Sequence, residues 1–186
     1  MLAEKKERII LGIDPGTSIM GYGIILERGS KLELITMGIV RMDHLDDPYL
    51  KLQRVFEKTL HLIEDYNPDA LAIESPFFGK NIQVVLKLGR AQGVAMAAAL
   101  TKNIPVTEYA PRKIKQSITG NGNASKEQVA AMLQKLLKFK ETPEFLDATD
   151  GLAIAVCHAF QRMPTGSTKS YSGWEAFVAG NKKRVK

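Results

Sequence analysis

Four carboxylates in this chain stand where an acidic side chain is costly unless something compensates it. Asp14 ends the apolar run "IILGID" just ahead of Pro15 and Gly16, and Glu74 ends "LAIE" ahead of Ser75 and Pro76. Asp147 and Asp150 are three residues apart in "LDATDGLAIAVCHA". That spacing puts both on one face of a helix, with Cβ atoms ~5–6 Å apart. Burying even a neutral polar group without a partner costs ~2–7 kcal/mol, and a charge costs more. Four acids that converge also repel one another and drive their pKa values up unless cations neutralise them. Oxygen donors without clustered Cys or His suit Mg²⁺ or Mn²⁺ better than Zn²⁺. Two such ions ~3.5–4 Å apart can hold a phosphodiester, activate water and stabilise the departing 3′-oxygen. The chemistry implied is phosphodiester hydrolysis. Each acid also has a plainer reading: Asp14 as a turn former before Pro-Gly, Glu74 as a solvated strand end, and Asp147 and Asp150 as complements to a helix dipole. The ordered set of four carries the inference.

The elements that must position them can be read from periodicity. Residues 8–14, 20–27 and 31–41 read as three strands with short connections, hence an antiparallel meander. "DPYLKLQRVFEKTLHLIEDY" carries Leu50, Val55, Leu60, Leu62 and Ile63 at helical spacing, with Asp46 or Asp47 as the N-cap and an end before Asn67-Pro68. "DALAIES" reads as a fourth strand, "NIQVVLKLGRAQGVAMAAALTK" as a long helix and "IPVTEYA" as a fifth strand. A short helix from Pro111 and two more from Ala124 and Pro143 follow. This order predicts an α/β fold, a mixed five-stranded sheet with helices on its faces. If the first and fourth strands are parallel neighbours, Asp14 and Glu74 emerge at one sheet edge, where sites in such sheets gather.

Composition narrows the class. The 186 residues are 45% hydrophobic, enough for a core without covalent staples. Cys157 is the only cysteine, so no intrachain disulfide is possible, and a reducing cytoplasm is the expected compartment. No apolar run reads as a signal peptide or membrane span. The net charge of +6 permits a polyanionic partner without requiring one. One domain is expected over 1–163, followed by a basic tail over 164–186 that either contacts a partner or merely solubilises the chain. Gly89, Gly93 and Ala97 recur every four residues on the long helix, either to pack it on its own sheet or to admit a second backbone.

Five blocks, "GIDPGT" with "GYG", "AIE" followed by a Phe pair, "KLGRAQGV", "EYAPRKIKQSITGNGNASKEQV" and "DATDGLAIAVCHA", resemble the RuvC Holliday junction resolvases in order over most of residues 8–160. The resemblance implies a ribonuclease H-like fold and a homodimer that cuts two strands of a four-way DNA junction symmetrically. It further implies two Mg²⁺ ions per site, replaceable by Mn²⁺, with Asp14, Glu74, Asp147 and Asp150 as the catalytic, metal-binding acids. Some relatives carry His where this chain has Asp147. Phe77 matches an aromatic placed against bases at the junction centre, with Phe78 beside it as the other candidate. Lys115 and Lys126 match lysines near the scissile phosphate, and Arg112 adds a DNA backbone contact, while Lys87 and Lys113 could do so too but read better as solvated helix positions. The RuvA and RuvB branch-migration proteins are the partners the resemblance implies. "GIDPGT" also resembles the phosphate loop of actin-like ATPases, which need two such domains in a longer chain. A ribonuclease H-like nuclease with another nucleic-acid substrate would use the same acids.

Overall fold

The computed structural model describes residues 7–76, 81–139 and 146–162. Phe77, Phe78, Pro143 and the expected tail over 164–186 lie outside them. The described chain runs β1 (Glu7–Asp14), β2 (Ile19–Arg28), β3 (Lys31–Arg41), α1 (Pro48–Tyr66), β4 (Ala70–Glu74), α2 (Ile82–Thr101), β5 (Val106–Tyr109), α3 (Pro111–Thr119), α4 (Lys126–Leu137) and α5 (Leu146–Arg162). The sheet order is β3-β2-β1-β4-β5. β1 and β2 pair antiparallel, as do β2 and β3, while β4 is parallel to both β1 and β5. The sheet is therefore mixed, as the element order predicts.

Side-chain alternation assigns each face. Leu11, Ile13, Ile24 and Ile73 point to the side covered by α1 and α2, together with Val55, Leu62, Ala95 and Ala99. Ile10, Ile25 and Ala72 point the other way, onto Leu152, Ala155 and Val156 of α5 and onto Ile114, Val129 and Leu133 of α3 and α4. Asp14 is four residues past Ile10 and Glu74 two past Ala72, so both acids share this second face.

The caps follow the local chemistry. The Asp47 carboxylate accepts from the Tyr49 N–H at 2.7 Å, and Asn67 closes α1 in the left-handed region at φ 44°. Asn81 caps α2 by accepting from Gln83 and Val84. On α1, Val55, Leu62 and Ile63 are buried as the spacing predicts, but Leu50 is 48% exposed. Thr59 takes an inward position, with its hydroxyl donating to the Val55 carbonyl at 2.7 Å. On α2 the inward positions are Ala91, Ala95, Ala98 and Ala99. A Cβ built on Gly89 or Gly93 meets nothing within 4 Å, and Gly93 and Ala97 are exposed, so these residues do not seat α2 on its own sheet. The helix expected from Ala124 begins two residues later, because Ser125 and Gln128 form a capping box that fixes the first turn at Lys126.

Candidate active site

The register brings the first two acids together. Ile13 pairs with Ile73 across the parallel β1–β4 ladder, so Asp14 and Glu74 take the next rung as neighbours on one face. The two carboxyl groups are close enough to act on each other, so that Glu74, held protonated, is placed to donate to the Asp14 carboxylate. Burial, then the charge of Asp14, pushes Glu74 up to about 8. Burial also raises Asp14, opposed by the hydrogen bond from Glu74 and reinforced by Asp150.

The second pair arrives on α5, and glycines set its position. A Cβ on Gly21 would stand 2.0 Å from the carbonyl oxygen of Asp147, and one on Gly151 would stand 2.5 Å from the Cα of Tyr22. Gly12 and Gly23 face Gly151 and Leu152 equally closely. The first turns of α5 thus rest backbone to backbone on β1 and β2, with no side-chain layer between them. That contact delivers Asp147 and Asp150 to the edge where Asp14 ends its strand. Gly21, Tyr22 and Gly23, the "GYG" block, are the strand half of this contact.

Lys126 joins the helices. Its ammonium donates to Asp150 at 2.5 Å and to Asp147 at 3.3 Å. Burial opposes its charge, but the hydrogen bond and field of Asp150, then those of Asp147, outweigh it and hold the ammonium well above its ordinary pKa. A cation in the first turn of a helix is unfavourable to the dipole, so the two acids account for its place there. Spacing alone could not reveal this contact, because Lys126 and Asp147 are 21 residues apart.

Asp14, Glu74 and Asp150 line a cavity of about 290 Å³ with Pro111, Ile114, Lys115, Lys126, Val129, Ala153 and Ile154. Asp147 is outside that lining and is tied to it through Lys126, whose ammonium lies 3.3 Å from its carboxylate. Lys115 therefore reaches the same space as the acids, whereas Arg112 and Lys113 lie exposed on α3 outside the cavity lining. The donors are hard oxygens, suited to a divalent cation. As they stand they form two pairs, one in which burial and mutual repulsion favour a proton on Glu74 and one sharing the Lys126 ammonium. Among the described residues no group of three or more His, Cys, Asp or Glu encloses a metal-sized site. The carboxylates thus converge with both charges compensated by stand-ins that a metal ion could replace.

Tyr109 and His158 lie deeper in the same layer, where the Tyr109 hydroxyl and His158 Nδ1 are 3.0 Å apart and the rings meet edge to face. This pair was not among the expected functional residues, and its place between β5 and α5 gives it a packing role.

Residues 10–158 match the family model described as Crossover junction endodeoxyribonuclease RuvC. A protein of that name from Bacteroides fragilis is 59% identical over 188 residues, covering all of both chains. Another from Christiangramia forsetii is 58% identical, covering 98% of this chain and 95% of its own. Among solved structures, "T. thermophilus RuvC in complex with Holliday junction substrate" superposes with a TM-score of 0.77 at 33% identity, covering 83% of this chain and 94% of that one. With the meander, the parallel β1–β4–β5 extension and the acids on one sheet edge, these likenesses establish that the chain belongs to the RuvC family.

Proposed function

We propose that this chain is a structure-selective endonuclease that resolves four-way DNA junctions in recombination and repair by symmetric, Mg²⁺-dependent phosphodiester hydrolysis. The observation that carries the reading is the cavity in which Asp14, Glu74 and Asp150 meet Lys115 and Lys126 at the carboxyl edge of the sheet, in a chain of the RuvC family. Asp14, Glu74, Asp147 and Asp150 would hold two Mg²⁺ ions, with Mn²⁺ able to substitute, and the division into two carboxylate pairs supports that count. Bound there, the metal supplies Lewis acidity toward the phosphate and lowers the pKa of water.

The chain's own groups have separate tasks. Glu74 gives up its proton as the site charges. The Lys126 ammonium leaves Asp147 and Asp150 and becomes free to face a phosphate oxygen, and Lys115 supports the same phosphate from α3. Phe77 and Phe78 follow Glu74 closely enough in sequence to place an aromatic beside the bases, a stacking contact of ~1–3 kcal/mol. Arg112 would hold backbone outside the cavity.

A homodimer completes the reading, because symmetric cuts in a two-fold junction need two identical sites on one axis. The outward Gly89, Gly93 and Ala97 on α2 support close approach of a second copy. Light scattering is expected to give twice the chain mass, and RuvA and RuvB are the partners the family suggests.

The deciding experiment mixes the protein with synthetic four-way junctions and Mg²⁺. Paired, symmetrically placed nicks are expected, with linear duplex intact. Equal cutting of both would make it a general nuclease. Asp14→Asn should abolish cleavage while junction binding persists, and normal cutting by this variant would refute the assignment of the acids.

A further inference from the structure

A second cavity, of about 320 Å³, opens on the opposite side of the sheet edge from the acids. Its walls are the loop Gly16–Ser18 directly after β1, the first turns of α1 and the middle of α2. Three cations line it: Lys51 from α1, and Lys87 and Arg90 from α2. None of the three forms an ion pair among the described residues, although Asp46 lines the same cavity. The α1 N-terminus is not what makes this cleft attractive to an anion, since the Asp47 carboxylate already takes the Tyr49 N–H. Three cations from two helices, none ion-paired among the described residues, converge on a concavity that holds one carboxylate, Asp46, where a single surface lysine would more often be solvated.

Position then selects the ligand. Gly16 is two residues past Asp14, so their Cα atoms are at most about 7 Å apart. A nucleic-acid strand rising ~3.4 Å per nucleotide covers that distance in two or three nucleotides. We propose that the cleft formed by Lys51, Lys87 and Arg90 is a second backbone-phosphate site. It holds the nucleic-acid strand a few nucleotides from the phosphate that lies over the acids. The inference rests on the nuclease reading above and extends it. The acids' cavity holds the phosphate that reacts, and this cleft holds one that does not, fixing the strand's path across the sheet edge. Lys87, which the sequence reads better as a solvated position, acquires a ligand here, and Lys51 and Arg90 are new to the DNA-facing set. All three are positioning residues, because none reaches the reacting atoms.

The test uses the full chain with Lys51→Gln, Lys87→Gln and Arg90→Gln, singly and together, alongside Lys135→Gln on α4, which packs on the opposite face of the sheet. Junction affinity is measured without Mg²⁺ across a salt series, and single-turnover cleavage at saturating protein. Each cleft substitution is expected to weaken binding about 3- to 10-fold and to reduce the slope of log affinity against log salt by up to about one. The cleavage rate of bound junction should stay within about twofold of the unsubstituted chain, and Lys87→Arg should restore affinity. Lys135→Gln should leave the slope unchanged. Unaltered affinity in the triple variant, or an equal loss with Lys135→Gln, overturns the site. If the unsubstituted chain binds junctions but does not cut them, the nuclease reading fails while the cleft can still be measured. If it cuts junctions and the triple variant binds normally, only the cleft fails.

Discussion

Replacing Glu74 with Gln should stabilise the metal-free protein while removing its activity, and the size of the gain follows from the site. Glu74 keeps its proton up to about pH 8, against an ordinary value of 4.5, because it is buried and faces Asp14. Between those values the folded chain binds more protons than the unfolded one, so stability falls as pH rises through the window. At ~1.4 kcal/mol per pKa unit the loss reaches up to ~5 kcal/mol at pH 8 and above. The Asp14–Glu74 pair titrates as one system, so the loss belongs to the pair. Gln keeps the shape and a donor toward Asp14 but cannot ionise. Urea unfolding in chelator at pH 5, 6.5 and 8 is the assay. The unsubstituted chain should lose several kcal/mol across the series and Glu74→Gln much less, leaving the variant ~2–4 kcal/mol more stable at pH 8 and close to equal at pH 5. Mg²⁺ should recover the loss in the unsubstituted chain by mass action and do little for the variant. Parallel stability–pH curves for the two proteins would refute the reasoning, since the acids would then not be confined together.

Three further outcomes follow from the same geometry. Gly151→Ala puts a methyl 2.5 Å from the Cα of Tyr22, so the helix must lift; unfolding should show a loss of at least ~2 kcal/mol and cleavage should fall with it. Ser125→Ala removes the capping box of α4, costing ~1 kcal/mol in urea, and junction cleavage should drop more than stability implies because Lys126 loses its fixed first turn. Lys126→Met leaves Asp147 and Asp150 without their ammonium; single-turnover cleavage should slow at least tenfold while Mg²⁺ titration by calorimetry shows tighter binding, since no internal cation competes.

Much of this arrangement was legible before the structure. The meander, the parallel β1–β4 pairing and the strand ends at Asp14 and Glu74 follow from period-two patterns and turn residues, which are local. The contact of Lys126 with Asp147 and Asp150 was not legible as geometry, because it joins two helices whose packing no local signal encodes. Leu50 misled for a related reason: helical spacing placed it inward, but it lies half exposed in the first turn of α1, and Thr59 satisfied its own hydroxyl and went inside. The glycines were ambiguous in the same way. Composition does not separate Gly93, which faces open space, from Gly23, which lies against Leu152. Lys87 and Arg90 lie one turn apart on α2, but Lys51 is far from them in sequence, and only the folding of α1 beside α2 makes the three one surface.

The bare contact between α5 and the strands has a mechanical consequence. Where side chains separate a helix from a sheet, rotamer changes let the two slide, but here carbonyl oxygens and Cα atoms are already in van der Waals contact and nothing can repack. Asp147 and Asp150 are therefore fixed to the same rigid body as Asp14 and Glu74. Lys115 and Lys126 ride on α3 and α4, which pack through Ile114, Ile118, Val129 and Leu133. The compliance needed to admit a bulky strand resides on the cationic side of the cleft, with the anionic side acting as its anvil.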